Sequence, residues 1–184
     1  MIIGICGKSG SGKSTLANEI IEVYANAVHL DIDKIGHKVL TMTSVEKELV
    51  TTFGTSILSE ERVDRKKLGK LVFSSSEEME KLSEITWKYM QMEIDVFLKN
   101  NRNRIIILDW LLFPKTKYFA MCDKTILLDI PYEVRKKRAM KRDSISEDAF
   151  LLRDNAGINY SREDFDYVLQ NNEKESIRKL VKKL

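Results

Sequence analysis

The segment GKSGSGKS, Gly7 to Ser14, restricts the folds open to this chain more than any other stretch. It matches G-x-x-x-x-G-K-[ST], with an apolar run before it, Ile2 to Cys6, and a helix-like stretch after it, Lys13 to Ala25. In that stretch Leu16, Ala17, Ile20, Ile21 and Tyr24 fall at helical spacing and leave Asn18, Glu19 and Glu22 for solvent. A chance glycine-rich turn would explain neither flank. Strand, loop and helix together make a phosphate cradle, in which glycines let backbone N–H groups converge on an anion. Lys13 adds a point charge for β and γ oxygens, and Ser14 offers a hydroxyl to magnesium. Gly7, Ser9, Gly10, Ser11, Gly12, Lys13, Ser14 and Thr15 are therefore the candidate triphosphate-binding residues.

Further β-branched runs occur at Val28 to Asp31, Ile105 to Asp109 and Thr125 to Ile130, with a weaker one at Tyr167 to Leu169. Runs such as IIIL and TILL suit strands covered on both faces, and their alternation with helical stretches predicts a doubly wound α/β fold with a five-stranded parallel sheet. From Asp64 to Asn100 the pattern is helical, broken near Ser74 to Ser76, where Ser76 can cap a helix whose first turn carries Glu77 and Glu78. With 184 residues, 43% hydrophobic and 32% charged, the chain is expected to fold as one domain, 1–184, with a helical insertion at about 60–100 and a lid at about 135–157. That composition excludes a disordered chain. A net charge of +3 demands no nucleic-acid partner, and no run approaches the roughly 18 apolar residues of a membrane helix. The start MIIGICGKSG lacks the basic, long apolar pattern of a secretory signal, so the expected location is cytoplasmic. Cys6 and Cys122 have no metal-ligand spacing and read as buried reduced thiols.

HLDID places Asp31 and Asp33 at and just past a strand's carboxyl end, where open parallel sheets bind their ligands. Asp33 is the candidate proton acceptor for a hydroxyl nucleophile, the bland alternative being a cap for a helix beginning near Lys34. Asp109 ends IIILD and is either a magnesium carboxylate or an ordinary strand end. In PYEVRKKRAMKRD, Pro131 can open a helix on which Arg135, Arg138 and Arg142 recur at i+3 and i+4. They form either a lid that clamps a triphosphate or a solvated basic face, and the phosphate loop favours the lid for Arg138 and Arg142. His29 and His37 lack partners at metal or catalytic spacing and read as structural.

The segments GKSGSGKST, DIDKIGHKVL, VDRKKLGKLVFSSSEEMEKLSEIT, LLF at Leu111 to Phe113, RAMKRDSISED and DYVLQNN make the chain similar to the dephospho-coenzyme A kinase family. The resemblance covers nearly the whole chain. It implies ATP with Mg2+, Asp33 as base, Arg65 in the acceptor-binding helical part, and Arg138, Arg142 and Arg153 at lid positions, Arg153 also counted with the acceptor-binding residues. The family's usual His-Pro is Trp87 and Lys88 here, its Pro-Leu-Leu-Phe-Glu is replaced by Trp110, LLF and Pro114, and a glutamine four residues beyond Arg153 is Gly157. The resemblance implies transfer of the γ-phosphoryl of ATP to the 3′-hydroxyl of dephospho-coenzyme A. A nucleoside or nucleotide kinase on the same scaffold and a nucleotide-dependent binding module are the alternatives.

Overall fold

The computed structural model describes residues 1–73, 75–155, 157–171 and 173–184. Ser74 in the expected helix break, Ala156 in the expected lid and Asn172 at the end of DYVLQNN lie outside the described residues. In chain order the elements are β1 (Ile2–Cys6), α1 (Lys13–Val23), β2 (Ala27–Asp31), α2 (Ile32–Val39), α3 (Thr43–Phe53), β3 (Leu58–Ser59) and β4 (Arg62–Val63). There follow α4 (Arg65–Val72), α5 (Ser76–Asn100), β5 (Ile105–Asp109), β6 (Lys124–Leu128), α6 (Tyr132–Asp143), α7 (Glu147–Asn155), β7 (Tyr167–Leu169) and α8 (Lys174–Val181). They group into two compact units, one of Met1–Asp31 with Asn101–Leu184, the other of Ile32–Asn100.

The first unit is built on a parallel sheet of order β2-β5-β1-β6-β7. Strands β1, β5 and β6 are buried after their first residue, as runs without alternation require when both faces are covered. On one face α1 and α8 close a core in which Leu16, Ala17 and Ile20 meet Ile3, Ile5, Ile107 and Ile126, and Ile177, Leu180 and Val181 complete it. Full burial of Leu16 or Ile20 contributes on the order of 2 kcal/mol. Phe113 lies against β1 at Gly4, where a Cβ would come within 2.4 Å of its ring, so glycine is needed for that approach. Phe119 stacks edge-on between Phe113 and Phe165. The strand order runs outward in both directions from β1, so the loop after β1 stands at the switch point where doubly wound sheets take ligands.

The second unit begins at Ile32, well before the expected start of the helical excursion near residue 60. Its 25-residue α5 receives α2, α3 and α4, with Val39, Val45, Leu49, Leu68, Val72, Met90 and Ile94 buried. Asp64 caps α4 by accepting from the Lys66 and Lys67 amides at 2.8 and 3.1 Å, and those bonds hold its carboxyl below the usual range. At α5 the cap is Ser75, whose Oγ accepts from the Glu78 amide and whose carbonyl accepts from that of Met79, so Ser76 is already helical. The hairpin β3–β4 was not expected: it turns through Glu60 and Glu61 at φ 49° and 63°, a left-handed pair that sequences ordinarily mark with Asn-Gly.

Candidate active site

The loop from Gly7 to Gly12 runs at φ 154°, 79° and 95° at its three glycines, and Gly12 precedes α1 in the left-handed region. Two bonds draw the loop in: Lys13 Nζ donates to the Gly7 carbonyl at 3.0 Å, and the Ser11 amide donates to the Lys8 carbonyl at 3.1 Å. Ser14 and Thr15 stand exposed in the first turn of α1, which holds no acidic residue to compete for an anion at the positive end of the helix.

Facing the loop, Arg138 and Arg142 line a cleft of about 340 Å³ with Gly10, Gly12 and Thr15. The structure thus brings the two expected lid arginines to the phosphate loop. Arg142 also donates twice to its neighbour Asp143, at 2.7 and 2.8 Å, and Arg153 of α7 donates to the same carboxylate at 2.6 Å. The bonds from Arg142 first, with those from Arg153, hold the Asp143 carboxyl at about 2. Arg135 departs from the expectation of one shared basic face. It is 6% exposed, and its guanidinium is bonded to Asp154 of α7 and to the carbonyls of Ile130 and Ser9.

Asp109 ends β5, is 2% exposed, and sits opposite Ile5 on β1 and Asp31 on β2. His29 Nε2 lies 2.6 Å from its Oδ2, giving that histidine a carboxylate partner 80 residues away. Sequence spacing contains no sign of such a pair, because only the strand register creates it. At the end of β1 the Cys6 thiol is pushed up, chiefly by burial, with Asp109 adding and Lys13 opposing. Burial makes Cys6 a packing residue and not a nucleophile. The Ser14 hydroxyl and the Asp109 carboxylate are donor types that suit magnesium, an ion that takes few protein ligands beside substrate phosphates.

Asp33 and Arg65 belong to the second unit. Asp33 is exposed in the first turn of α2, and since the helix starts at Ile32, Asp31 and not Asp33 precedes it. Arg65 opens α4 and donates to His37 Nε2 at 2.7 Å, one turn along α2 from Asp33. Trp87 and Lys88 lie inside the unbroken α5, where Lys88 binds Glu48 of α3 at 2.7 Å and Tyr89 donates to the same carboxylate at 2.6 Å. Trp110 follows β5, Pro114 sits in a short 3-10 turn, and the Gly157 amide donates to the Asp154 carbonyl.

The family model described as Dephospho-CoA kinase matches residues 1–176. A dephospho-CoA kinase from Aquifex aeolicus is 40% identical over 149 residues, which cover 79% of this chain and 75% of that protein. Among solved structures, one from Thermus thermophilus has a TM-score of 0.84 at 28% identity, covering 100% of this chain and 95% of its own. Dephospho-CoA kinase from Campylobacter jejuni gives 0.66 at 26% identity, covering 99% and 94%. A phosphate loop at the switch point, arginines across from it, a family match over nearly the whole length and relatives that agree with it have one reading: this chain belongs to the dephospho-CoA kinase family.

Proposed function

We propose that the chain transfers the γ-phosphoryl group of ATP to the 3′-hydroxyl of dephospho-coenzyme A, giving coenzyme A and ADP. The observation that carries this is the cleft in which Gly10, Gly12 and Thr15 of the loop face Arg138 and Arg142, within a family whose relatives carry that activity in their name. Those relatives favour this acceptor over a nucleoside or nucleotide, and transfer over a mere binding module.

In the reaction the acceptor oxygen forms a bond to the γ-phosphorus as the bond from that phosphorus to the β-bridging oxygen breaks, and the acceptor proton passes to the Asp33 carboxylate. Gly7, Ser9, Gly10 and Gly12 present the backbone donors that hold the phosphates, and Ser11, whose amide donates to the Lys8 carbonyl, shapes the loop. Lys13, Arg138 and Arg142 lie against charge that spreads over equatorial oxygens in the transition state, and they do so without reorganising at the moment of transfer. Arg65 and Arg153 are assigned to the acceptor, whose phosphate groups suit guanidinium forks. Ser14 and Asp109 would hold magnesium, which would supply charge neutralisation for the phosphates. A cytoplasmic location is part of this proposal. Separately, no helix among the described residues is long and apolar enough to cross a membrane.

The test is ADP release against a panel of dephospho-coenzyme A, nucleosides and nucleoside monophosphates. The expected result is turnover on dephospho-coenzyme A alone, with the product carrying a 3′-phosphate. Turnover confined to a nucleoside or nucleotide would replace the acceptor and leave the phosphate loop in place.

A further inference from the structure

Arg135 touches the phosphate loop in two independent ways. Its guanidinium Nη1 donates to the Ser9 carbonyl at 3.3 Å, and its own backbone carbonyl lies against Gly10, where a Cβ would come within 2.3 Å of that oxygen. In a trans peptide the carbonyl and the following N–H point in opposite directions. A donor that holds the Ser9 carbonyl therefore also fixes where the Gly10 N–H points, which is away from the guanidinium. The contact at Gly10 excludes any side chain there and keeps this peptide from rotating.

The guanidinium is itself held from two sides. Nε donates to the Ile130 carbonyl at 2.9 Å, and Nη1 and Nη2 reach the Asp154 carboxylate at 2.5 and 3.5 Å. Lys8 of the loop approaches the same carboxylate at 3.9 Å. Tyr132 covers the guanidinium with its ring centre 5.8 Å from Cζ, and Tyr132 packs in turn on Phe150 of α7. With Arg135 6% and Asp154 9% exposed, water is a poor substitute for any of these partners.

We propose that Arg135 is a positioning residue for ATP: it sets the Ser9–Gly10 peptide so that the Gly10 N–H is ready for a phosphate oxygen, and through Asp154 it ties that setting to the order of α7. The phosphate loop is then not autonomous. Its donor geometry depends on a helix that follows it by more than a hundred residues. This deepens the ATP-binding reading and rests on it.

The experiment measures affinity for a non-hydrolysable ATP analogue with magnesium, and separately for dephospho-coenzyme A, in the wild type, in Arg135→Lys and in the neutral pair Arg135→Gln with Asp154→Asn. Lysine keeps a charge for Asp154 but has no fork with which to hold Ser9 and Ile130 together. Both variants are expected to bind the analogue about tenfold more weakly, while affinity for dephospho-coenzyme A, to which Arg153 of α7 is assigned, falls by much less, about threefold at most. General damage to the fold would move both affinities alike. An analogue affinity within twofold of wild type in either folded variant overturns the proposal. If neither variant folds, amide exchange of the wild type decides. Segments 7–12 and 147–155 must slow together when the analogue binds, and slowing of 7–12 alone overturns it. A wild type that binds no analogue would instead sink the ATP reading itself.

Discussion

Lys13 donates to the Gly7 carbonyl in the structure, a bond that a β- or γ-phosphate would outcompete through charge. Lys13→Ala is therefore expected to abolish turnover and weaken ATP binding while circular dichroism stays that of the wild type, since the side chain contributes nothing to the core. Asp33→Asn separates chemistry from structure. The helix starts before Asp33, so its capping role falls away and the melting temperature is expected to hold, whereas turnover drops by about 10² to 10⁴ with ATP affinity nearly unchanged. Stopped-flow ADP release, nucleotide titration and thermal melts decide both. The conformation of the loop was legible in sequence because it is local, three glycines at positive φ within eight residues of chain. Arg135 and His29 were not, since their partners Asp154 and Asp109 lie 19 and 80 residues off and are brought close only by helix packing and strand register.

Helices α6 and α7 span the expected lid, and Asp143 at their joint is the acceptor for both Arg142 and Arg153. Its carboxyl, held at about 2, is charged at every ordinary pH. The stability this depressed value contributes is whole above about pH 4 and is lost as pH falls through 2. Between pH 5 and 9 Asp143 is thus a fixed competitor with phosphate for Arg142. Asp143→Asn is expected to raise ATP affinity about two- to fivefold, the worth of an exposed ion pair, and to speed amide exchange of α6 and α7 in the free protein. Calorimetry and exchange mass spectrometry check the two signs. Bound analogue is expected to slow exchange across 135–155 in the wild type, and equal protection with and without it would remove the lid. Element bounds read well for the apolar runs of β1 and β5, and the weaker run of β7 also has the expected ends. Bounds slipped by a residue at Ala27 and Ser75, where a partner strand or a cap decides the boundary, and β6 runs Lys124–Leu128 where Thr125 to Ile130 was expected, while the Glu60–Glu61 turn had no composition to announce it.

At the scale of the molecule, the architecture followed from alternation of strand and helix, but the extent of the second unit did not. Periodicity finds helices and is silent on which of them pack together, so α2 and α3 joined α5 without any sign in their sequence. Ligand is expected to raise the melting temperature: Mg·ATP at a hundred times its dissociation constant adds about 2.7 kcal/mol, or about 5–10 °C for a chain of this size. Calorimetry should show that shift in the wild type and none in Lys13→Ala. The clasp of Arg135 on Ser9, 126 residues later in the chain, has a further consequence during synthesis. A nascent chain leaves the ribosome with its glycine-rich motif early, yet it lacks the arginine and the carboxylate that hold that motif open for a nucleotide. Competence to capture ATP therefore arrives late in translation, once α6 and α7 have emerged, and a chain stalled before Pro131 carries the motif without the grip.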